Sequence, residues 1–300
     1  MSSALAPFDR HRRLLFAVAY QMLSSVADAE DVVQDAWLRW SAADRSGVDD
    51  ERAYLVQIAT RLALDRLRSA RSRRESYVGP WLPEPLLTDA DLIAAGSGPV
   101  DPPDAAEVGE QVSLALLVVL ETLSPTERAV FVLREVFGLP AAEVAAALGS
   151  TEVAVRQTAH RAREHVRARR PRFEADRRAQ REVTERFLAA AAGGDVDALL
   201  AALAPDVVLV SDGGGKAKAA LRPITGAGKV ARFLAGVSAQ GLTVPDLRVE
   251  VADVNGGPAI VAWAGGAPFL SMSMVLGEDG RIEQVLLVRN PDKLRGIGSR

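Results

Sequence analysis

Seven arginines and one glutamate fall between Arg156 and Phe173. Guanidinium groups at that density can track phosphates by charge, while a few side chains at a helix start reach base edges. An apolar stripe of Val155, Ala159, Ala162 and Val166 leaves Glu152, Arg156, Gln157, His160 and Arg163 on the solvent side, a face suited to a major groove. A second basic cluster, Arg61, Arg66, Arg68, Arg71, Arg73 and Arg74 against the single acid Asp65, fills fourteen residues. Covalent catalysis finds much less material. With no cysteine there is no thiolate nucleophile and no Cys-containing zinc site, and the three histidines, His11, His160 and His165, are spread out. No catalytic residue, no metal centre and no cofactor is expected. Asp212-Gly213-Gly214-Gly215-Lys216 lacks the full phosphate-loop spacing and the helix that should follow it.

The elements that must position the first cluster begin at Ser124-Pro125-Thr126-Glu127, a capping box with proline at the first helical position. Ala129, Val132, Leu133 and Val136 give that helix one apolar stripe. A break at Phe137-Gly138-Leu139-Pro140 precedes a short helix carrying Val144, Ala145 and Leu148 inward. Gly149-Ser150-Thr151 is then a tight turn with two candidate N-caps for the next helix. Short helix, three-residue turn and longer helix is the helix-turn-helix rhythm, which argues against a merely solvating basic helix.

Three hundred residues at a formal net charge of -3 predict two or three domains of opposite local charge. Nothing resembles a signal peptide and no apolar run approaches the roughly 20 residues of a membrane span, so a soluble, cytoplasmic protein is expected. The chain opens with helices to about Glu75. Leu14, Leu15, Val18 and Ala19 line the first. Asp28 is the candidate cap of the second, whose apolar side is Val32, Val33, Ala36, Trp37 and Trp40 and whose other face carries Asp31, Gln34, Asp35 and Arg39. Asp49-Asp50-Glu51 starts the third with negative charge at the positive end of its dipole. Tyr54 and Trp40 sit at core spacing. Residues 76–110 hold seven acids, no lysine or arginine, and prolines at 80, 83, 85, 99, 102 and 103, which predicts a mostly extended connector. Within it, the proline-stiffened Trp81-Leu82-Pro83-Glu84-Pro85 requires a surface to dock on.

After the basic tail the period changes. Helices are predicted over Arg181–Ala192, with Val183, Phe187 and Leu188 apolar, over Asp195–Leu203, with Val196, Leu199, Leu200 and Leu203 inside, and over Val230–Val237. Strands are predicted over Val207–Val210, Leu247–Val254, Ala259–Trp263, Phe269–Leu276 and Ile282–Arg289. Helices followed by a run of antiparallel strands imply an α+β domain in which a curved sheet wraps around helices. Asp212, beside glycines, reads as a turn cap. Trp263, Phe269, Met272 and Met274 could line either a small-molecule pocket or a core.

Asp28-Ala-Glu-Asp-Val-Val-Gln-Asp-Ala-Trp-Leu-Arg, Tyr54-Leu-Val-Gln-Ile-Ala-Thr-Arg-Leu-Ala-Leu-Asp-Arg-Leu-Arg-Ser and Leu123-Ser-Pro-Thr-Glu-Arg-Ala-Val-Phe-Val-Leu-Arg-Glu-Val-Phe-Gly resemble, in order and spacing, the bacterial extracytoplasmic-function sigma factors of the sigma-70 family. The resemblance covers about residues 8–170. It implies that the Asp28–Trp40 helix meets core RNA polymerase through Asp31, Gln34, Asp35 and Leu38. It places Arg61, Asp65, Arg66, Arg68, Arg71 and Arg73 at the melted -10 strand, and Glu152, Arg156, Gln157, His160, Arg161 and Arg163 at the double-stranded -35 element. The factor directs the polymerase and performs no chemistry itself.

The last part looks like the SnoaL-like branch of the NTF2-like cone domains. Trp81–Pro85, Asp212–Lys216 and Asn290-Pro291-Asp292-Lys293-Leu294 match the hallmark stretches of the sigma-factor subgroup that carries this extension. The implied architecture is multidomain: sigma region 2 over 1–75, an acidic linker over 76–110, the helix-turn-helix of region 4 over 111–172 and a regulatory cone over 173–300. The three stretches are expected to form a regulatory joint built from Trp81, Leu82, Pro83, Glu84, Pro85, Asp212, Gly213, Gly214, Gly215, Lys216, Asn290, Pro291, Asp292, Lys293 and Leu294. The free chain is expected to be monomeric and away from membranes. The alternatives are a stand-alone DNA-binding repressor, and a sigma factor whose last domain senses a small ligand.

Overall fold

The computed structural model describes residues 2–44, 46–88, 113–169 and 176–299; the side chains of 2–4 and 70–75 lie outside the described set. Two compact units divide the chain, residues 1–76 with 116–170 and residues 77–115 with 171–300.

The first unit is helical. Helices α1 (Ser2–Leu23), α2 (Val26–Ala42) and α3 (Glu51–Glu75) pack together by burying Leu15, Val18, Ala19, Val32, Val33, Ala36, Leu55, Ile58, Ala59 and Leu62. Each of the valine, leucine and isoleucine side chains contributes about 1.5–3 kcal/mol of transfer free energy, and each alanine less. Ser25, in extended backbone, caps α2 by accepting the Asp28 amide at 3.2 Å. The cap therefore lies three residues before Asp28, whose amide is itself one of the donors that need satisfying. Trp40 is buried with its ring 6.0 Å from that of Tyr54, which makes both core residues.

Helix α4 (Leu114–Leu120) leads to α5 (Pro125–Phe131), whose capping box is complete: the Glu127 amide donates to Ser124 Oγ and the Ser124 amide donates to the Glu127 carboxylate at 3.1 Å. The apolar stripe does not continue as an α-helix. Val132–Val136 forms a π-helical turn, ended by Gly138 at a positive φ of 64°. Helix α6 (Ala141–Leu148) buries Val144, Ala145 and Ala147, with Leu148 only half-buried in place of the expected inward position. Gly149 closes α6 in left-handed backbone, and Thr151 caps α7 (Glu152–Arg167) by accepting the Ala154 amide. The two helices of the expected motif are thus joined by Gly149-Ser150-Thr151.

The second unit begins its folded body with α8 (Arg177–Gly193) and α9 (Val196–Ala202), followed by β1 (Leu203–Asp212), β2 (Ile224–Thr225), α10 (Ala227–Gly241), β3 (Leu247–Val254), β4 (Gly257–Ala264), β5 (Ala267–Leu276) and β6 (Ile282–Val288). The strand order is β2-β1-β6-β5-β4-β3. One pairing departs from the antiparallel expectation: β1 runs parallel to β6, because the intervening helix and meander bring the chain back beside its first strand in the same direction. Helix α9 also differs. Val196 and Leu200 are 41% and 36% exposed, and this two-turn helix reaches the core through Leu199, with Leu203 already in β1.

Alternation along the strands divides the sheet into two covered faces. One face, with Leu209, Ile260, Met272, Val285 and Leu287, meets Phe187 of α8, Leu199 of α9 and Leu234 of α10 in a single apolar core. The opposite face holds Asp212, Val288, Ser271 and Val261, in register with one another. Residues 77–88 reach that side: the Leu82 amide donates to Asp212, and Leu87 bridges Val254 at the edge of β3. The end of the chain does the same, with the Trp263 indole donating to the Gly298 carbonyl at 3.1 Å. Trp263 therefore belongs away from Met272 and Met274, on the other side of the sheet.

Candidate nucleic-acid interface and linker dock

In α2 the carboxylates Asp31 and Asp35 lie one helical turn apart and face Arg66 of α3, which donates to them at 2.9 and 2.8 Å, with Asp28 at 3.8 Å. Burial works against the Arg66 charge, but its bonds to Asp35 and Asp31 win, and its pKa is held above the usual guanidinium value. The structure thus joins two residues expected at polymerase to one expected at DNA. Gln34 is exposed, and Leu38 stands 63% exposed on the same helix, an apolar side chain left in water.

Along α3, Arg61 donates through Nε and Nη2 to the Ala147 and Ala146 carbonyls at the end of α6, and Gln57 donates to the Ala146 carbonyl at 2.8 Å. A guanidinium and a neutral amide meet the negative end of a helix there. Asp65 and Arg68 form an exposed pair one turn apart. The side chains of Arg71 and Arg73 lie outside the described residues. Arg128 of α5 ties the same two parts together: fully buried, it donates to the Gln21 carbonyl, to Ser24 Oγ and to Glu121. Burial pushes its pKa down to about 9.

The exposed side of α7 carries Glu152, Arg156, Gln157, His160 and Arg161, while Val155, Ala159, Ala162 and Val166 are buried. Arg156 reaches back to Glu152 on the same face, Arg161 to Thr158, and the half-buried Arg163 to Glu135 at 3.0 Å. Val153, which sequence reasoning passed over, is 64% exposed at the helix start. It lies one helical turn before Arg156 and Gln157, on the same exposed side of the helix. No periodic pattern marks it, because it is an apolar residue on the polar face.

In the second unit, the three stretches singled out as a joint converge on Asp212. This carboxylate is fully buried at the end of β1 and accepts from the Tyr77 hydroxyl at 2.6 Å, the Leu82 amide at 2.8 Å and Lys293 Nζ at 2.7 Å. It is the centre of a network, not the turn cap expected of it. Lys293 also donates to the Leu82 carbonyl at 2.6 Å and lies 3.8 Å from the centre of the Trp81 ring. The proline-stiffened segment is thus held by backbone bonds at Leu82 and by a cation against its tryptophan. Tyr77, absent from the sequence-derived set, bridges Asp212 and Asn290, whose side-chain amide donates to the Tyr77 oxygen at 2.7 Å. Burial, then the bond to Asp212, drives the Tyr77 pKa upward, so the phenol keeps its proton.

The glycine loop serves close approach. A Cβ on Gly214 would fall 2.2 Å from Asn290 Nδ2 and 2.7 Å from the Tyr77 oxygen, and the residue has a positive φ of 57°. Gly213 is buried, and Gly215 faces Val78. Lys216 and Asp292 close the loop with an exposed ion pair. Pro291 begins a 3-10 turn capped by Asn290, and Leu294 is buried just after it. Pro83, Glu84 and Pro85 are buried along the segment. Among the described residues, no group of three or more His, Asp or Glu could hold a metal ion, and no helix is long and apolar enough to cross a membrane.

Three family models match in chain order: Sigma-70 region 2 over residues 8–73, Sigma-70 region 4 over residues 113–166 and a SnoaL-like domain over residues 184–284. The ECF RNA polymerase sigma factor SigJ of Mycobacterium tuberculosis is 40% identical, across 97% of this chain and 93% of its own length. The probable ECF RNA polymerase sigma factor SigI of the same species is 40% identical, across 67% of each chain. The crystal structure of M. tuberculosis SigJ superposes with a TM-score of 0.76 at 37% identity, covering 97% of this chain and 98% of that one. A helical region 2 module, a helix-turn-helix and an α+β domain, matched in this order over nearly the whole length, make the chain a member of the extracytoplasmic-function RNA polymerase sigma factors, with a SnoaL-like domain fused behind region 4.

Proposed function

We propose that this sigma factor selects promoters through two DNA-contacting modules and is controlled by its own C-terminal domain. The observation that carries the reading is the polar face of α7, a capped helix in a helix-turn-helix with Glu152, Arg156, Gln157, His160 and Arg161 exposed together. In this reading α7 reads the -35 element in the major groove, with Arg163 at its margin. Arg61, Asp65, Arg66 and Arg68, with Arg71 and Arg73 further along α3, engage the melted -10 strand. Asp31, Gln34, Asp35 and the exposed Leu38 meet core polymerase, for which an exposed apolar residue on a helix that also carries carboxylates is a fitting contact. The two DNA contacts gain from being linked, since a tether turns the second binding event into an intramolecular one.

The C-terminal domain regulates by holding the linker. Trp81–Pro85, Asp212–Lys216 and Asn290–Leu294 act as one clasp, and a shift in its occupancy alters how regions 2 and 4 are presented. Functionally the chain divides at 1–75, 76–110, 111–172 and 173–300. Reconstitution with core polymerase tests the whole reading. The full chain and a form lacking residues 173–300 are compared for stable core binding and for transcripts from a supercoiled promoter library. Promoter-specific transcription by at least one of them is expected; absence of core binding and of specific transcripts in both would leave a DNA-binding repressor as the better account.

A further inference from the structure

Arg289 follows the last residue of β6 and continues its inward alternation after Val285 and Leu287, so it belongs to the helix-covered face of the sheet. Its guanidinium lies 4.4 Å from the centre of the Phe269 ring, a side chain that packs on the same apolar core. The group is half-buried, its Nε is buried without a hydrogen-bond partner, and no carboxylate pairs with it among the described residues. The fully buried cations differ: Arg128 has Glu121 and two further acceptors, and Lys293 has Asp212, while the half-buried Arg134, whose Nε is likewise unpartnered, donates to the Leu139 carbonyl. Burial accordingly lowers the Arg289 pKa with nothing opposing it. A desolvated guanidinium that lacks a counter-charge is unfavourable unless something supplies one.

A second observation points to the same place. Ser211 is fully buried, its Oγ has no partner, and it pairs in register with Leu287, the inward residue before Arg289. Successive inward residues stand roughly 7 Å apart along a strand, so the unpartnered hydroxyl and the residue with the unpartnered Nε occupy adjacent inward positions on one face. Around them the face is apolar: Phe269, Met272 and Met274 contribute from β5, and Val249 of β3, which pairs with the inward Ala262, remains 39% exposed. We propose that this face of the SnoaL-like domain binds a small organic monocarboxylate, with the Arg289 fork on the carboxylate, the Ser211 hydroxyl donating to it, and Phe269 and the methionines against an apolar body. One guanidinium and one hydroxyl match a single negative charge; a phosphate dianion would bring a second charge into a site with no second cation.

Binding does not depend on promoter selection, so this inference and the proposed function fail separately. The test is isothermal titration calorimetry of the full chain with benzoate, phenylacetate and hexanoate, with benzamide and inorganic phosphate as comparators. At least one carboxylate should bind, benzamide should be at least roughly tenfold weaker because it lacks the charge, and phosphate should be weaker still. Arg289→Met should abolish binding without lowering the thermal midpoint of the free protein, Arg289→Lys should retain weakened binding, and Ser211→Ala should weaken it severalfold. A purely structural cation stacked on Phe269 would instead lose stability in Arg289→Met. The proposal is overturned by no carboxylate binding up to millimolar concentration, by equal affinity for benzoate and benzamide, by tighter binding of phosphate, or by unchanged binding in both Arg289 variants.

Discussion

Lys293 is 5% exposed and Asp212 is fully buried, and each is bound to more than the other: the lysine to the Leu82 carbonyl and the Trp81 face, the carboxylate to the Tyr77 hydroxyl and the Leu82 amide. Buried charges of this kind are costly to separate, because removal of one leaves the other desolvated and alone. Lys293→Met is therefore expected to destabilise the second unit by about 3–5 kcal/mol, whereas Lys293→Met with Asp212→Leu should cost less than the two single changes summed. Urea unfolding of the full chain, with the two single variants and the double variant compared, decides this; additive costs would mean that the pair is not coupled. The exposed Lys216–Asp292 pair makes the contrast, since exposed ion pairs contribute only about 0–1 kcal/mol. At Gly214 the same logic is steric: the space that a side chain would need is already filled by Asn290 and Tyr77.

At the scale of elements, the DNA-reading role proposed for α7 rests on what the helix leaves weakly bound. Among the described residues Arg156 pairs with Glu152 on its own exposed face, a helix pair of the kind that contributes about 0.2–0.5 kcal/mol and that a competing partner displaces at little cost. Changing Arg156 and Gln157 together to alanine should weaken binding to -35 DNA by at least tenfold while core polymerase affinity stays within twofold, as read by fluorescence anisotropy with each partner. Retained promoter preference in that variant would remove α7 as the reader. The sequence made this helix and its neighbours legible because their signals are local: a capping box at Ser124 and Glu127, a left-handed glycine at 149, a period of 3.6. What escaped it depends on distant pairing. Nothing near β1 announces that its partner β6, more than seventy residues later, runs parallel to it, and Asp212 looked like a turn residue because its partners lie 135, 130 and 81 positions away. The π-helical turn at Val132–Val136 and the outward Val196 and Leu200 show the other limit, where a periodic pattern overstates how far one helix face is covered. The docking of Trp81–Pro85 was legible as a need for a surface, though not which surface.

For the molecule as a whole, the chain order and the packing order differ. Residues 77–88 belong to the C-terminal unit although regions 2 and 4 flank them in sequence, so region 2 ends at Ser76 directly beside a clasped segment, and region 4 is followed by its own covalent connection to α8. The C-terminal domain is thus inserted twice, once by peptide bond and once by the Leu82, Trp81 and Asp212 contacts. A chain held at two points forms a closed circuit, and a single cut opens a circuit without dividing it. With a specific protease site placed within residues 171–175, the cleaved full chain should still run as one species in gel filtration. The same cut in Lys293→Ala should give two separately eluting fragments, while prompt separation of the cleaved parent would mean that the clasp holds nothing. On the expected outcome the domain is a buckle on its own chain: cut from the backbone it remains attached, and with the clasp undone it stays covalently joined and lets go.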